Sequence, residues 1–166
     1  MTALCMIACD NKTPTTPDDN PTTPTIDGNF IDLGLSSGTK WKSQNEHNTR
    51  YSENDLYTYD EAVNDFGNYL PTKDQWLELV NSCTWKWTGN GYRVVGRNGN
   101  AIVLPAAGNV SCGGWTPSLV GEFGSYWSST PRGAGAAWLI EFESDKIYEE
   151  AYLARCVGAS VRLVRK

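Results

Sequence analysis

The chain of 166 residues contains one histidine, His47. That scarcity excludes any metal site built on two or more imidazoles, including His-rich zinc centres and two-histidine iron triads. A Ser/His/Asp triad would have to use His47. Five cysteines are present, and none forms a CxxC pair, so zinc ribbons and thioredoxin-type redox centres lack their signature. No stretch approaches the roughly 18 consecutive apolar residues of a membrane-spanning helix. Charge is also sparse at 20% of residues, with 14 basic against 19 acidic side chains and a net charge of −5. The sign is wrong for holding a polyphosphate backbone, and nucleic-acid binding is not expected.

Aromatic rings are plentiful instead. Seven Trp, eight Tyr and four Phe accompany a hydrophobic content of 40%, enough to fill one core and more in keeping with a recognition surface than with solvation alone. Cys5 and Cys9 lie in the opening MTALCMIACD, whereas Cys83, Cys112 and Cys156 are spread through the rest. A structural disulfide between two of these last three is open, and the odd count leaves one thiol over.

Residues 1–9 read as a residual lipoprotein signal and cleavage box. Met6-Ile7-Ala8-Cys9 places apolar and small side chains before a cysteine, which makes Cys9 the expected site of lipidation. An ordinary secretory signal has a basic start and a longer apolar run, and neither is present here. Residues 10–25, DNKTPTTPDDNPTTPT, hold four of the eight prolines, six threonines and no apolar side chain. Such a segment has nothing to bury. At about 3.1 Å per residue in an extended polyproline conformation it would form a tether on the order of 50 Å long.

The globular part is expected over residues 26–166, in the α+β class. Phe30 to Leu35 is a short apolar strand, followed by turn chemistry at Ser36-Ser37-Gly38-Thr39. Thr58 three residues before Glu61, and Thr72 three before Gln75, are two capping boxes. Behind them Tyr59, Ala62, Val63 and Phe66, then Trp76, Leu79, Val80 and Cys83, recur at helical spacing. Two short helices packed on a sheet follow. Beyond Cys83 the chain reads as short, mostly antiparallel strands. Asn98-Gly99 predicts a hairpin, since both residues tolerate positive φ. Further strands are expected at Ser125 to Ser129, Ala137 to Phe142, Lys146 to Tyr148 and Ser160 to Arg165. The glycine-rich stretch from Ala106 to Phe123 has no period and reads as a long loop, which in a small domain is usually functional or disordered.

Candidate chemistry elsewhere is weak. Glu61 belongs to its helix cap and Asp60 to the first-turn dipole. Gly113-Gly114 and Gly133 to Gly135 lack the GKS/T string and strand-then-helix setting of a phosphate cradle. Arg162 and Arg165 alternate with Val161, Leu163 and Val164, where an arginine is expected to pair with a neighbouring carboxylate. Trp127, Trp138, Phe142 and Val161 read as core.

Five strings occur in order: FIDLGLSSGTKW at Phe30 to Trp41, NYLPTKDQWLELVNSCTWKW at Asn68 to Trp87, NGNAIVLPAAG at Asn98 to Gly108, GSYWSST at Gly124 to Thr130 and SVRLVR at Ser160 to Arg165. Together they resemble the Fibrobacter succinogenes major paralogous domain family of secreted bacterial lipoproteins. The resemblance implies a C-type lectin-like fold, similar also to formylglycine-generating enzymes and to retroelement-diversified variable proteins. It implies an outer-membrane lipoprotein at the cell surface of a Gram-negative bacterium, membrane-bound only through lipid at Cys9. The function implied is non-enzymatic binding of a protein or glycan ligand, with no cofactor, by a C-terminal surface open to diversification. The candidate contacts between Ser125 and Ala159 are Arg132, Ala136, Ala137, Tyr148, Tyr152, Ala154, Arg155 and Val157.

Enzymatic features of the fold carry over poorly. A formylglycine-generating site needs two nearby cysteines, and none lies within ten residues after Cys156. The Glu-Pro-Asn or Gln-Pro-Asp turn and the Trp-Asn-Asp string of calcium-dependent lectins are also missing. A metal oxidase on this scaffold and a structural fimbrial or cell-surface component remain the alternatives. Under adenine-directed diversification, Lys146, Glu149 and Glu150 would be fixed scaffold. Arg132, Tyr148, Tyr152, Ala154, Cys156 and Val157 would be compatible with variable codons, and Cys156 would be an exposed unpaired thiol.

Overall fold

A computed structural model describes residues 28–48 and 54–166. The expected lipidation site Cys9 and the tether of residues 10–25 lie outside the described residues. The class is α+β: two short helices and three small antiparallel sheets.

Helix α1 spans Tyr59–Phe66 and α2 spans Lys73–Ser82. Each begins at the expected capping box. Thr58 accepts from the Glu61 amide while the Glu61 carboxylate accepts from the Thr58 amide, and Thr72 and Gln75 repeat the exchange. The two reciprocal bonds satisfy orphan amide donors that would otherwise fray the first turn. A single 3₁₀ turn over Gly67–Tyr69 joins the helices.

Strands β1 (Phe30–Asp32), β2 (Lys40–Lys42) and β9 (Val164–Arg165) form one sheet, in the order β1-β2-β9. Strands β3 (Thr84–Trp87), β4 (Gly91–Val95) and β5 (Ala101–Pro105) form the second. The hairpin at Asn98-Gly99 is present, with Val95 opposite Ala101. Its turn differs from the expected type, because only Gly99 takes positive φ, at 87°. The Gly99 amide closes back on the Gly96 carbonyl at 3.0 Å, so five residues rather than two make the connection.

The third sheet, β6-β7-β8, is the centre of the molecule and comprises Gly124–Arg132, Ala136–Glu143 and Lys146–Ala154. Both of its faces are covered. Consecutive residues of a strand point to opposite sides; thus Tyr126 enters one core cluster with Ile140 and Phe142, and Trp127 enters the other with Ala137 and Leu139. The first cluster is shared with Trp76 and Leu79 of α2, Trp41 and strands β4 and β5. The second is shared with Tyr59 and Ala62 of α1 and with Ala159, Val161 and Leu163.

Most of the rings serve these clusters rather than the surface. Trp41, Trp76, Tyr126, Phe142, Tyr92 and Trp85 form a chain of contacts with centroid spacings of 4.5 to 5.8 Å. Among described residues the large exposed aromatics are Tyr69, Trp115 and Tyr152.

Three expectations are corrected. The segment Ser160 to Arg165 is a strand only at its last two residues, Val164 and Arg165; before them it passes through the interior, with residues 158–164 all buried. Arg162 is 1% exposed and makes no carboxylate pair among the described residues. Its donors go to Asn45 Oδ1 at 2.9 Å and to the carbonyls of Lys42 and Val103 at 2.8 and 2.6 Å. Cys156 is not free: it is bonded to Cys112, and Cys83 is the free thiol. Counting along the chain left Cys156 without a neighbour, whereas folding closes the 44 residues between the two cysteines.

That disulfide also fastens the stretch from Ala106 to Phe123, which is not a slack loop. Val110 exchanges both backbone bonds with Gly158, at 2.9 and 2.8 Å, and Asn109 pairs with Ser118.

Candidate functional site

The eight candidate residues do not form one surface. Register decides where each goes. Arg132 pairs with Ala136, which pairs with Ala154, and Trp138 pairs with Tyr152. Residues two apart on a strand share a face, so Arg132, Ala136, Ala154, Tyr152 and Trp138 all lie on the α2 side of the sheet.

Ala137 faces the other way. It is 0% exposed, packed in the cluster around Trp127, and a surface ligand has no access to it. Tyr148 is also turned from Tyr152. It pairs with Glu141, three positions along β7 from Trp138, and an extra residue in β8 between Tyr148 and Ala151 produces the shift. A one-residue bulge exchanges the faces of everything beyond it. The Tyr148 hydroxyl donates to Glu143, and this contact raises the phenol pKa.

Arg155 and Val157, beyond the end of β8, have structural partners. The Arg155 guanidinium lies 4.8 Å from the Tyr59 ring and 3.4 Å from Asp60, while its backbone bonds Gly135 and Tyr59. Val157 packs against the cluster around Trp127.

Trp138, expected in the core, is half-buried. It shares its face with Ile140 and Phe142, but α2 begins at Lys73 and the apolar cover ends there. What lies over the indole is the Lys73 ammonium, 3.8 Å from the ring centroid. Lys73 also pairs with Glu150 at 3.1 Å. The helix start is itself fixed to the sheet: the Lys73 amide donates to Thr130 Oγ1 at 3.0 Å, and Ser128 Oγ donates to the Trp138 carbonyl at 2.7 Å.

Arg132 completes the arrangement. Ala136 and Ala154 beside it in the register carry only a methyl group, which leaves the arginine side chain room to cross the sheet. Its guanidinium lies 3.4 Å from the Tyr152 ring centroid and 5.2 Å from that of Trp138. The two rings meet edge to face at 6.0 Å. Such cation and ring contacts contribute about 0.5–1 kcal/mol each at exposed sites, enough to hold a platform in one geometry.

Sequence reading missed Lys73 and Glu150 as members of this face. Only the docking of α2 on the sheet brings Lys73 over Trp138. Among the described residues no group of three or more His, Cys, Asp or Glu is placed to hold a metal ion. Cys112 and Cys156, tied as a disulfide, offer no thiolate.

A second concavity of about 710 Å³ lies between Ser43 to His47, Asn54 to Leu56 and β5. His47 and Asp55 meet on it at 2.9 Å, with side chains 71% and 51% exposed. At its base Ser160 Oγ, Arg162 and the Tyr126 hydroxyl cluster, and burial pushes the tyrosine pKa up.

Compared with protein-family models, curated proteins and solved structures, the chain matches none.

Proposed function

We propose that this is a surface-displayed, non-enzymatic binding module with a C-type lectin-like fold, held to the outer membrane of a Gram-negative cell by lipid on Cys9. Its contact face is the α2 side of the sheet where the end of β6 meets β7 and β8, narrower than the whole C-terminal segment. One observation carries the reading. Arg132, Ala136, Tyr152 and Ala154, four residues chosen from the sequence as ligand contacts, share a single outward face with Trp138, clamped by cation contacts. Trp, Tyr and Arg are the residue types that dominate interface energetics, and two-torsion aromatic rings lose little entropy on binding. The ordered strings from Phe30 to Arg165 support the fold and, with the lipobox and the Thr/Pro tether, the location.

Sequencing the locus across strains tests the face. Substitutions gathered at Arg132, Ala136, Tyr152 and Ala154, with Ala137 and Trp127 constant, are expected. Changes spread evenly over both faces of the sheet would overturn the assignment. Labelling of intact cells with a protease or a membrane-impermeant amine reagent tests the location, and a Cys9→Ser chain released into the medium is the expected companion result.

A further inference from the structure

Arg132 differs from Arg155 and Arg162 in what its donors meet. Arg162 spends its N–H groups on three carbonyl oxygens, and Arg155 has Asp60. Arg132 is exposed, stacked on Tyr152, and has no hydrogen-bond acceptor or ion-pair partner among the described residues. A guanidinium carries five N–H donors in a planar fork whose geometry matches a carboxylate. Stacking fixes the plane of that fork while leaving its edges open, so the ordering entropy of a long side chain is lost on folding rather than on binding. Lys73 is not equivalent, because its ammonium is already engaged by Glu150 at 3.1 Å.

We infer that Arg132 is the specificity anchor of this face and that its ligand is an aspartate or glutamate carboxylate on the surface of a protein partner. The inference rests on the binding role proposed above and names the chemistry of the same face. A protein fits better than a glycan because a cation lies over each ring, Arg132 over Tyr152 and Lys73 over Trp138. Sugars dock on bare aromatic faces, whereas these rings serve to position charge. The far strand of the same sheet also constrains the partner. Glu149 and Glu150 are exposed on β8, within a chain of net charge −5, so a uniformly acidic partner is repelled. A single carboxylate flanked by basic residues satisfies both ends, and like-charge exclusion supplies the selectivity.

The test is an NMR titration of the full-length chain, uniformly ¹⁵N-labelled so that backbone amides, Trp indoles and Arg Nε are all read, with three probes: the blocked peptide Ac-Lys-Ala-Ala-Glu-NH₂, its Gln analogue, and galacturonic acid. The expected result is a saturable shift of the Arg132 Nε resonance with the Glu peptide. Its affinity should fall about tenfold with the Gln analogue or in Arg132→Gln, and partly recover in Arg132→Lys, which keeps the charge without the fork. Unchanged backbone spectra establish that the variants are folded. Equal shifts with the Glu and Gln peptides overturn the carboxylate assignment, and tighter binding of galacturonic acid overturns the protein class. Shifts at Trp138 and Tyr152 that persist in Arg132→Gln remove Arg132 as anchor while leaving the face in place. Shifts confined to Tyr148, Arg155 or the cleft around His47 remove the face itself.

Discussion

Trp127 and Trp138 occupy neighbouring strands of one sheet and have opposite fates. Trp127 is 0% exposed, donates its indole N–H to the Tyr57 carbonyl at 2.7 Å and meets Tyr59 edge-on at 5.6 Å. Trp138 has its carbonyl held by Ser128, but its ring is covered by Lys73, Arg132 and Tyr152. The difference is where the helices end. Helix α1 and the buried segment before β9 close over Trp127, while α2 starts too late to close over Trp138. A large apolar ring at the margin of a core then becomes a support for cations, and the same residue type passes from stability to recognition.

The largest effect that tests this contrast is truncation of each ring. Trp127→Ala is expected to lose about 3–5 kcal/mol, the range for emptying a fully packed aromatic site, with a buried Tyr57 carbonyl left without its donor. Trp138→Ala is expected to lose only about 1–2 kcal/mol, from partial burial and two cation contacts. Urea unfolding followed by circular dichroism reads both values. Equal losses would mean that Trp138 is core and that the platform is an accident of its margin.

The disulfide offers the next largest effect. Replacing Cys112 and Cys156 with serine releases a closure of 44 residues, worth about 2–4 kcal/mol by chain-entropy reasoning. The loss should be local in its consequences. Hydrogen exchange is expected to quicken across residues 106–121 and at 155–157, which the bond ties together, and to stay unchanged at Trp138. Loosening at Trp138 would show that the platform depends on the bond.

Gly124→Ala probes the packed end of the α2 side, the face that Trp138 shares with Phe142. A Cβ at Gly124 would fall 2.1 Å from the ring of Phe142, its partner in the register. That ring is 0% exposed and stacked on Tyr126 at 5.7 Å, so it has nowhere to move. A loss of about 1–3 kcal/mol is expected for such overpacking, measured as a lowered urea midpoint. Ala136→Val, the matching enlargement at the open end of that same face, should leave stability nearly unchanged while displacing Arg132 from Tyr152.

How much of this was legible before folding depends on the range of the signal. Both capping boxes are local, since Thr58 and Glu61 or Thr72 and Gln75 lie within one turn, and both helices begin where those residues place them. The Asn98-Gly99 hairpin is local too, although its turn type depended on how Gly96 and Asn100 closed the loop. Trp138 and Ala137 were misassigned because alternation tells which residues share a face, but not which face is covered or where the cover stops. Tyr148 was grouped with Tyr152 as a contact of one surface, and the bulge in β8 that turns them to opposite faces has no signature in the residues themselves. Arg162 was expected to meet a carboxylate, yet its partners are carbonyls of Lys42 and Val103 that only the fold assembles. The pairing of Cys112 with Cys156 is likewise a long-range fact, undetermined by counting.

The smallest effect compares carboxylates on the two sides. Glu141 lies three residues after Trp138 on the Trp127 side of β7, where burial raises its pKa against the opposing hydrogen bond from Ser125. Glu150, on the open side, is exposed and paired with Lys73. A carboxyl whose folded pKa is raised binds protons more readily in the native state than in the unfolded chain. Its contribution to stability is therefore complete below the ordinary glutamate pKa and is lost as the pH rises through the folded value. Glu141→Gln keeps an acceptor for the Ser125 hydroxyl and removes the charge. The variant should be as stable as the wild type below about pH 4, the range where an ordinary glutamate is protonated, and more stable above it, with the gap widening toward neutrality. Urea midpoints of the two chains at pH 4, 5, 6 and 7 give the comparison directly. Equal midpoints at every pH would place Glu141 in water, as open as Glu150, and would erase the difference between the two faces at the point where they lie closest together along the chain.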